Sequence, residues 1–199
     1  MRITREKRAQ HRAALLEAAG RLFRERGFAG AAVADIARAA GLTHGCFYNH
    51  FDSKEALAAE ACGEAFAYLG CRVTAAEGDL ARYLAFYLSA RHRDARDGGC
   101  PLVAFGADAA RQGPEVAARF ADGLEDYVGA VAGLLRPAEG TRAAAAREDR
   151  RRRALALVAL TAGAVTLARA TAEAAPALAD ELLEAARAAL DTGIAGEAG

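Results

Sequence analysis

Net charge is missing from this 199-residue chain: 26 Lys and Arg offset 26 Asp and Glu. β-branched residues are few, with three Ile and eight Val, which argues against a sandwich or a barrel. The four Cys stand at irregular spacing without a CxxC pair, so neither a disulfide framework nor a metal site is expected, and no cofactor is expected either. There is no HExxH, no glycine-rich phosphate loop and no nucleophile–base–orienter set around the four His, so an enzyme is not expected. The opening MRITREKRAQHR is charged and lacks the apolar stretch of a secretory signal, which predicts a cytoplasmic location. The charge-free run at 154–168 is 15 residues long. That is short of the roughly 18–20 apolar residues of a membrane span, so it reads as a core or interface helix, with no membrane partner.

What is abundant is alanine. Its 56 residues, with Leu, Glu and Arg, make a strongly helix-favouring composition. Leu15, Ala19, Leu22 and Phe23 recur at helical spacing and Gly27 follows as a stop, predicting a first helix over 4–26. A short helix is predicted over 33–40, ended by Gly41, and a third from an N-cap at Thr43 to about Phe51. Ser53 caps a longer fourth helix, and Asp79 or Leu80 opens a fifth. Pro101 and Pro114 suit the first turns of two more, 137–141 is a loop, a long helix spans about 143–171, and Pro176 starts the last. The fold class is therefore all-α, with about nine helices.

The neutral total hides an asymmetry. Residues 1–54 hold 10 basic and 5 acidic side chains, a net of +5; residues 55–199 hold 16 and 21, a net of −5. A basic head suggests a polyanion partner. Within it, VADIARAAGLTHGCFYNHF at 33–51 reads as helix, tight turn, helix, the layout whose second helix lies in a DNA major groove. Phe47 and Phe51 are spaced to face the core. Thr43, His44, Tyr48, Asn49 and His50 offer hydrogen-bonding groups without an acid that would repel phosphate, and Gly45 lets backbone approach a duplex. The arginine run at 150–153 could be a second such patch but reads better as a solvated helix start.

AALLEAAGRLFRERGFAGAAVADIARAAGLTHG and CFYNHFDSKEAL, within 10–57, resemble the DNA-binding domain of TetR/AcrR-type repressors. The resemblance implies a helix-turn-helix domain at 1–53 and a ligand-binding and dimerisation domain at 54–199. It implies a homodimer on a palindromic double-stranded operator, released by a small hydrophobic or aromatic effector. Carried over, DNA contacts fall on Thr43, His44, Gly45, Tyr48, Asn49 and His50, and a phosphate grip on Lys54. Two departures weaken that grip. Ala31-Ala32 replace the usual Thr pair, losing an N-cap worth about 1 kcal/mol, and His44 replaces a common Lys. Arg2, Arg5, Lys7 and Arg8 could compensate.

The resemblance also places an effector cavity among Phe66, Tyr83, Phe86, Tyr87, Phe105, Phe120 and Tyr127, where the alternative, favoured for any single one, is plain core. It places dimer contacts on Leu155, Leu160, Ala164, Leu167, Leu178, Leu182, Ala186 and Leu190, where the alternative is a buried intramolecular helix pair. Cys100, ahead of Pro101, could be an N-cap thiolate that senses oxidants or electrophiles, or merely a small structural residue.

Overall fold

The computed structural model describes residues 4–96, 98–136 and 142–195, and among them there are ten helices and no strand. They are α1 (Arg5–Gly30), α2 (Val33–Ala39), α3 (His44–Phe47), α4 (Lys54–Thr74), α5 (Leu80–Tyr87), α6 (Ala90–Asp94), α7 (Pro101–Ala109), α8 (Pro114–Leu134), α9 (Ala143–Thr171) and α10 (Pro176–Ala195).

Several helix starts lie where a side chain satisfies an orphan N–H. The Oγ1 of Thr4, the Oγ of Ser53 and the carboxylate of Asp79 accept from the backbone N–H of Lys7, Ala56 and Arg82. Pro101, Pro114 and Pro176 each open a helix. Gly27 has φ +72° and ψ 168°, a kink near the end of α1 where the sequence predicts a stop. Two expectations need correction. α6 is an additional helix, a single turn capped by the Ser89 hydroxyl on the His92 N–H and too short for periodicity to reveal. Thr43 occupies the N-cap of α3, but its side chain makes no capping hydrogen bond, and α3 ends at Phe47 rather than near Phe51.

The chain divides into two compact units, Met1–Ala67 with Arg96–Gly123, and Tyr68–Ala95 with Leu124–Gly199. In the first, Leu15, Leu22, Phe23, Ile36, Phe47, Phe51 and Leu57 are buried. α7 packs against α1 through a run of rings: Phe23 to Phe28 at 5.0 Å and Phe28 to Phe105 at 4.8 Å. Segment 96–123 thus shares a core with the helix-turn-helix.

In the second unit α9 and α10 pack along each other, burying Leu157, Val158, Val165, Ala168, Ala179 and Leu183. α9 as a whole is, by length and composition, apolar enough to cross a membrane, more than the 15-residue run suggested. Its packing on α10 and its buried Thr161, bonded to the carbonyl of Leu157 at 2.9 Å, mark it as a core helix. The buried Arg93 is held by Asp94 at 2.7 Å and Asp180 at 2.6 Å, both of which raise its pKa. Arg169 donates to the carbonyls of His92 and Arg93, and Arg187 to that of Leu88, so the backbone groups around α6 are satisfied by side chains of α9 and α10.

Candidate nucleic-acid interface

α2 and α3 are joined by a turn in which Gly41 adopts φ +70° and the Leu42 N–H bonds the Ala37 carbonyl at 2.8 Å. A side chain at Gly41 would be strained there, since left-handed backbone suits glycine. Ile36 and Ala37 of α2 and Phe47 of α3 are buried, and the Phe47 ring stacks on Phe51 at 5.8 Å. With both phenylalanines in the core, the opposite side of α3 faces solvent. Thr43, His44, Gly45, Tyr48 and Asn49 are all exposed, Tyr48 by 56%. His44 and Tyr48 meet edge to face at 5.5 Å, so the ridge is partly ordered in advance.

His50 is placed differently from the others. Its ring is half-buried beside His11 of α1, with Nδ1 buried and without a hydrogen-bond partner among the described residues. Burial, then the positive charges of Arg8, His11 and Arg12, push its pKa down, favouring the neutral ring. Lys54 is also half-buried; its ammonium lies 6.0 Å from the centre of the Phe23 ring, and desolvation lowers its pKa.

The N-terminal end of α1 braces this surface. Arg8 donates to the Asn49 carbonyl at 2.9 Å. Arg12 forms a two-pronged pair with Glu60 and lies 4.6 Å from the centre of the Phe51 ring. Arg5 and Lys7 are exposed; Arg2 lies outside the described residues. Ala32 stands at the N-cap of α2 with no side-chain bond, as the missing Thr pair implied.

The seven aromatic residues expected around an effector do not form one group. Phe66 and Phe120 meet at 5.2 Å and Phe105 packs on Phe28, all in the first unit. In the second unit Tyr83, Tyr87 and Tyr127 are buried, and the Tyr83 and Tyr127 hydroxyls bond each other. Tyr83 and Tyr87 stand 5.7 Å apart; His92 lies 4.6 Å from Tyr87 and 5.2 Å from Phe86, and Arg72 covers the other ring of that pair, Phe86, at 4.1 Å. His92 donates Nδ1–H to the Tyr87 carbonyl at 2.6 Å, and burial lowers its pKa. Arg72, unremarkable in sequence, is the member of this cluster that sequence reasoning missed.

Of the residues expected at a dimer contact, Leu155, Leu160, Leu167 and Leu178 are 41–56% exposed, Leu182 and Leu190 are half-buried, and Ala164 and Ala186 are buried within the chain. Cys100 stands at the N-cap of α7 as expected, but is 2% exposed and makes no side-chain cap bond. Within the arginine run, Arg151 pairs with Glu125 at 2.5 Å, and Arg152 and Arg153 with Asp149 at 2.5 and 3.7 Å, which fits a solvated, ion-paired face.

Comparison with known proteins agrees with this geometry. Residues 15–61 match the model of bacterial regulatory proteins of the tetR family, and 76–188 match the tetracyclin repressor-like C-terminal domain. The repressor DhaR of Mycobacterium sp. (strain GP1) is 47% identical over 55 residues, covering 28% of each chain. The repressor KstR2 of Rhodococcus jostii (strain RHA1) is 51% identical over 49 residues, covering 25% of this chain and 24% of that one. The chain thus matches about a quarter of the length of these curated relatives. Among solved structures, a TetR regulator from Chloroflexus aurantiacus shares the fold at TM-score 0.75, with 24% identity over 96% of both chains. NemR of E. coli in its reduced form does so at 0.69, with 24% identity over 89% of this chain and 93% of that one. With an exposed ridge on a helix-turn-helix, and family models matched in both halves, the chain belongs to the TetR family of bacterial regulatory proteins, a family of DNA-binding transcriptional regulators rather than enzymes.

Proposed function

We propose that this chain is a homodimeric transcriptional repressor that binds a palindromic operator and leaves it when a small effector binds. One observation carries the reading: Thr43, His44, Gly45, Tyr48 and Asn49 form an exposed ridge without an acid, on a helix whose other side is anchored by buried Phe47 and Phe51. Such a ridge can enter a major groove, where amide, hydroxyl and imidazole groups read base edges. His50 and Lys54 are secondary contacts in this reading, since each must turn outward from a half-buried position. A repressor is favoured because DhaR and KstR2 carry that description.

One ridge reads only a few base pairs, so a second copy supplies the matching half-site about one helical turn away. The outer side of α9 suits the contact. Leu155, Ala156, Ala159, Leu160, Thr166, Leu167 and Ala170 are exposed, half-buried Gly163 lies among them, and none is charged. On α10, Leu178 and Leu182 extend that apolar surface. For the effector, the tyrosine cluster of the second unit offers ring faces, hydroxyls, His92 and Arg72. That chemistry suits an aromatic or amphipathic molecule with a hydrogen-bonding or anionic group. An effector acts by favouring the dimer arrangement that mismatches the half-sites. Action on operator DNA favours a cytoplasmic location.

The test is footprinting of the purified full-length chain on the intergenic region beside its own gene, followed by titration at several salt concentrations. A protected palindrome is expected, with binding lost in Tyr48→Ala and His44→Ala. Deleting residues 1–8 should weaken binding and flatten the salt slope, because Arg5, Lys7 and Arg8 are removed with Arg2. Failure to protect any sequence at low salt would refute the reading.

A further inference from the structure

The helix-turn-helix carries a group of side chains of which the DNA reading uses only His50, and that one only after it turns outward. Cys46 and His50 are four residues apart on the recognition segment. The backbone keeps them on one side, because after α3 the chain continues in turns, with the N–H of Asn49 on the carbonyl of Cys46 and those of His50 and Phe51 on that of Phe47. The i, i+4 spacing is the one by which a helix offers two ligands to one metal ion. His11 projects from α1 toward the same point, with its Nδ1 3.8 Å from the Cys46 Sγ. One ligand atom from each of the three lies within 4.8 Å of the others, and all three residues are half-buried. Among the described residues this is the one trio of His, Cys or carboxylate side chains so grouped.

We propose that His11, Cys46 and His50 form a three-ligand site for a borderline-soft d10 cation, zinc(II), which ties the recognition segment to α1. With Zn–S near 2.3 Å and Zn–N near 2.05 Å, tetrahedral geometry puts sulfur and nitrogen about 3.6 Å apart. The Cys46–His11 separation is close to that value, and modest rotamer changes bring His50 in. The buried, unpartnered Nδ1 of His50 leaves that imidazole with unused ligand capacity. Two imidazoles and a thiolate select zinc or copper(I) over magnesium or calcium, which prefer oxygen. Binding converts the Cys46 thiol to a thiolate that bonds the metal and releases its proton to solvent, so the site gains one unit of charge rather than two. Of the neighbouring cations, Arg12 is paired with the Glu60 carboxylate, while Arg8 keeps its charge and donates to the Asn49 carbonyl. Three protein ligands leave the fourth position open to water.

The CxxC rule missed this site because one ligand comes from 35 residues upstream and is delivered only by the packing of α1 on α3. Metal binding is measured without DNA, so it does not depend on the operator reading. The test titrates untagged, metal-free, full-length chain with zinc chloride against a chromophoric competitor. In parallel, cobalt(II) is bound as a spectroscopic probe, whose near-ultraviolet charge-transfer band reports a coordinated thiolate. One zinc per chain and a cobalt–thiolate band are expected. Cys46→Ser should abolish the band and weaken zinc at least about 100-fold, since losing even an outer-shell partner costs 10–100-fold. His11→Gln and His50→Gln should weaken zinc comparably, with unchanged helicity by circular dichroism. Cys71→Ser, at an exposed cysteine elsewhere, should change nothing. Zinc binding well below one per chain, a band that survives Cys46→Ser, or affinity indifferent to His11→Gln would overturn the proposal.

Discussion

Replacing Leu167 with Ala should weaken self-association by a predictable amount. Leu167 is 56% exposed on the outer side of α9. Fully burying a leucine contributes about 1.5–3 kcal/mol, so covering that share contributes roughly 1 kcal/mol per copy. In the proposed dimer a two-fold axis would place the same patch on both partners, so each substitution would count twice. Leu167→Ala should therefore weaken the dimer by about 2 kcal/mol, a roughly thirty-fold rise in Kd. Leu167→Asp should go further and give a monomer, because two carboxylates would have to be desolvated against apolar surface. Sedimentation at several concentrations measures both. Tyr68→Ala is the control: Tyr68 is 58% exposed but lies on α4 rather than on α9 or α10. A Kd unaltered by Leu167→Asp, or a wild-type chain that is monomeric at every concentration, would refute the reasoning.

Acidification should destabilise the chain, because burial depresses the pKa of His92 below its ordinary 6.5. Between that depressed value and 6.5 the unfolded chain binds the extra proton. Stability is therefore full above pH 6.5 and falls as pH drops through this range, by at most about 1.4 kcal/mol per unit. Thermal melts from pH 7.5 to 5.5 should show the loss, and His92→Gln should lessen its slope, leaving the contribution of His50, which is shifted in the same direction. An unchanged slope would exclude His92 as a cause. Gly27→Ala should cost about 2–3 kcal/mol in urea unfolding, since φ +72° with ψ 168° is nearly glycine-only backbone and a Cβ there would stand 2.6 Å from the Asp108 carboxylate; a change within experimental error would contradict it. Under native conditions a thiol reagent should label exposed Cys71 first. Cys62, whose thiol burial pushes up to about 11, and buried Cys100 should react only on unfolding. Rapid labelling of Cys100 would instead favour an oxidant-triggered regulator.

Helix limits were legible in the chain itself because caps are local. Thr4, Ser53, Asp79, the three opening prolines and the kink at Gly27 each act within one turn, so a neighbourhood of four residues decides them. The hydrogen-bonding ridge was legible for the same reason: buried Phe47 and Phe51 fix which side of α3 faces outward, and Thr43 to Asn49 follow from helical spacing. Only the tertiary structure could decide what distant segments bring to one place. It separates Phe66, Phe105 and Phe120 from the tyrosines grouped with them by sequence, gives segment 96–123 to the core of α1, and turns Lys54 and His50 inward. It also carries His11 to Cys46 across 35 positions. Periodicity tells which side of a helix is buried; which helix lies against that side depends on how all the apolar surfaces of the chain are covered at once.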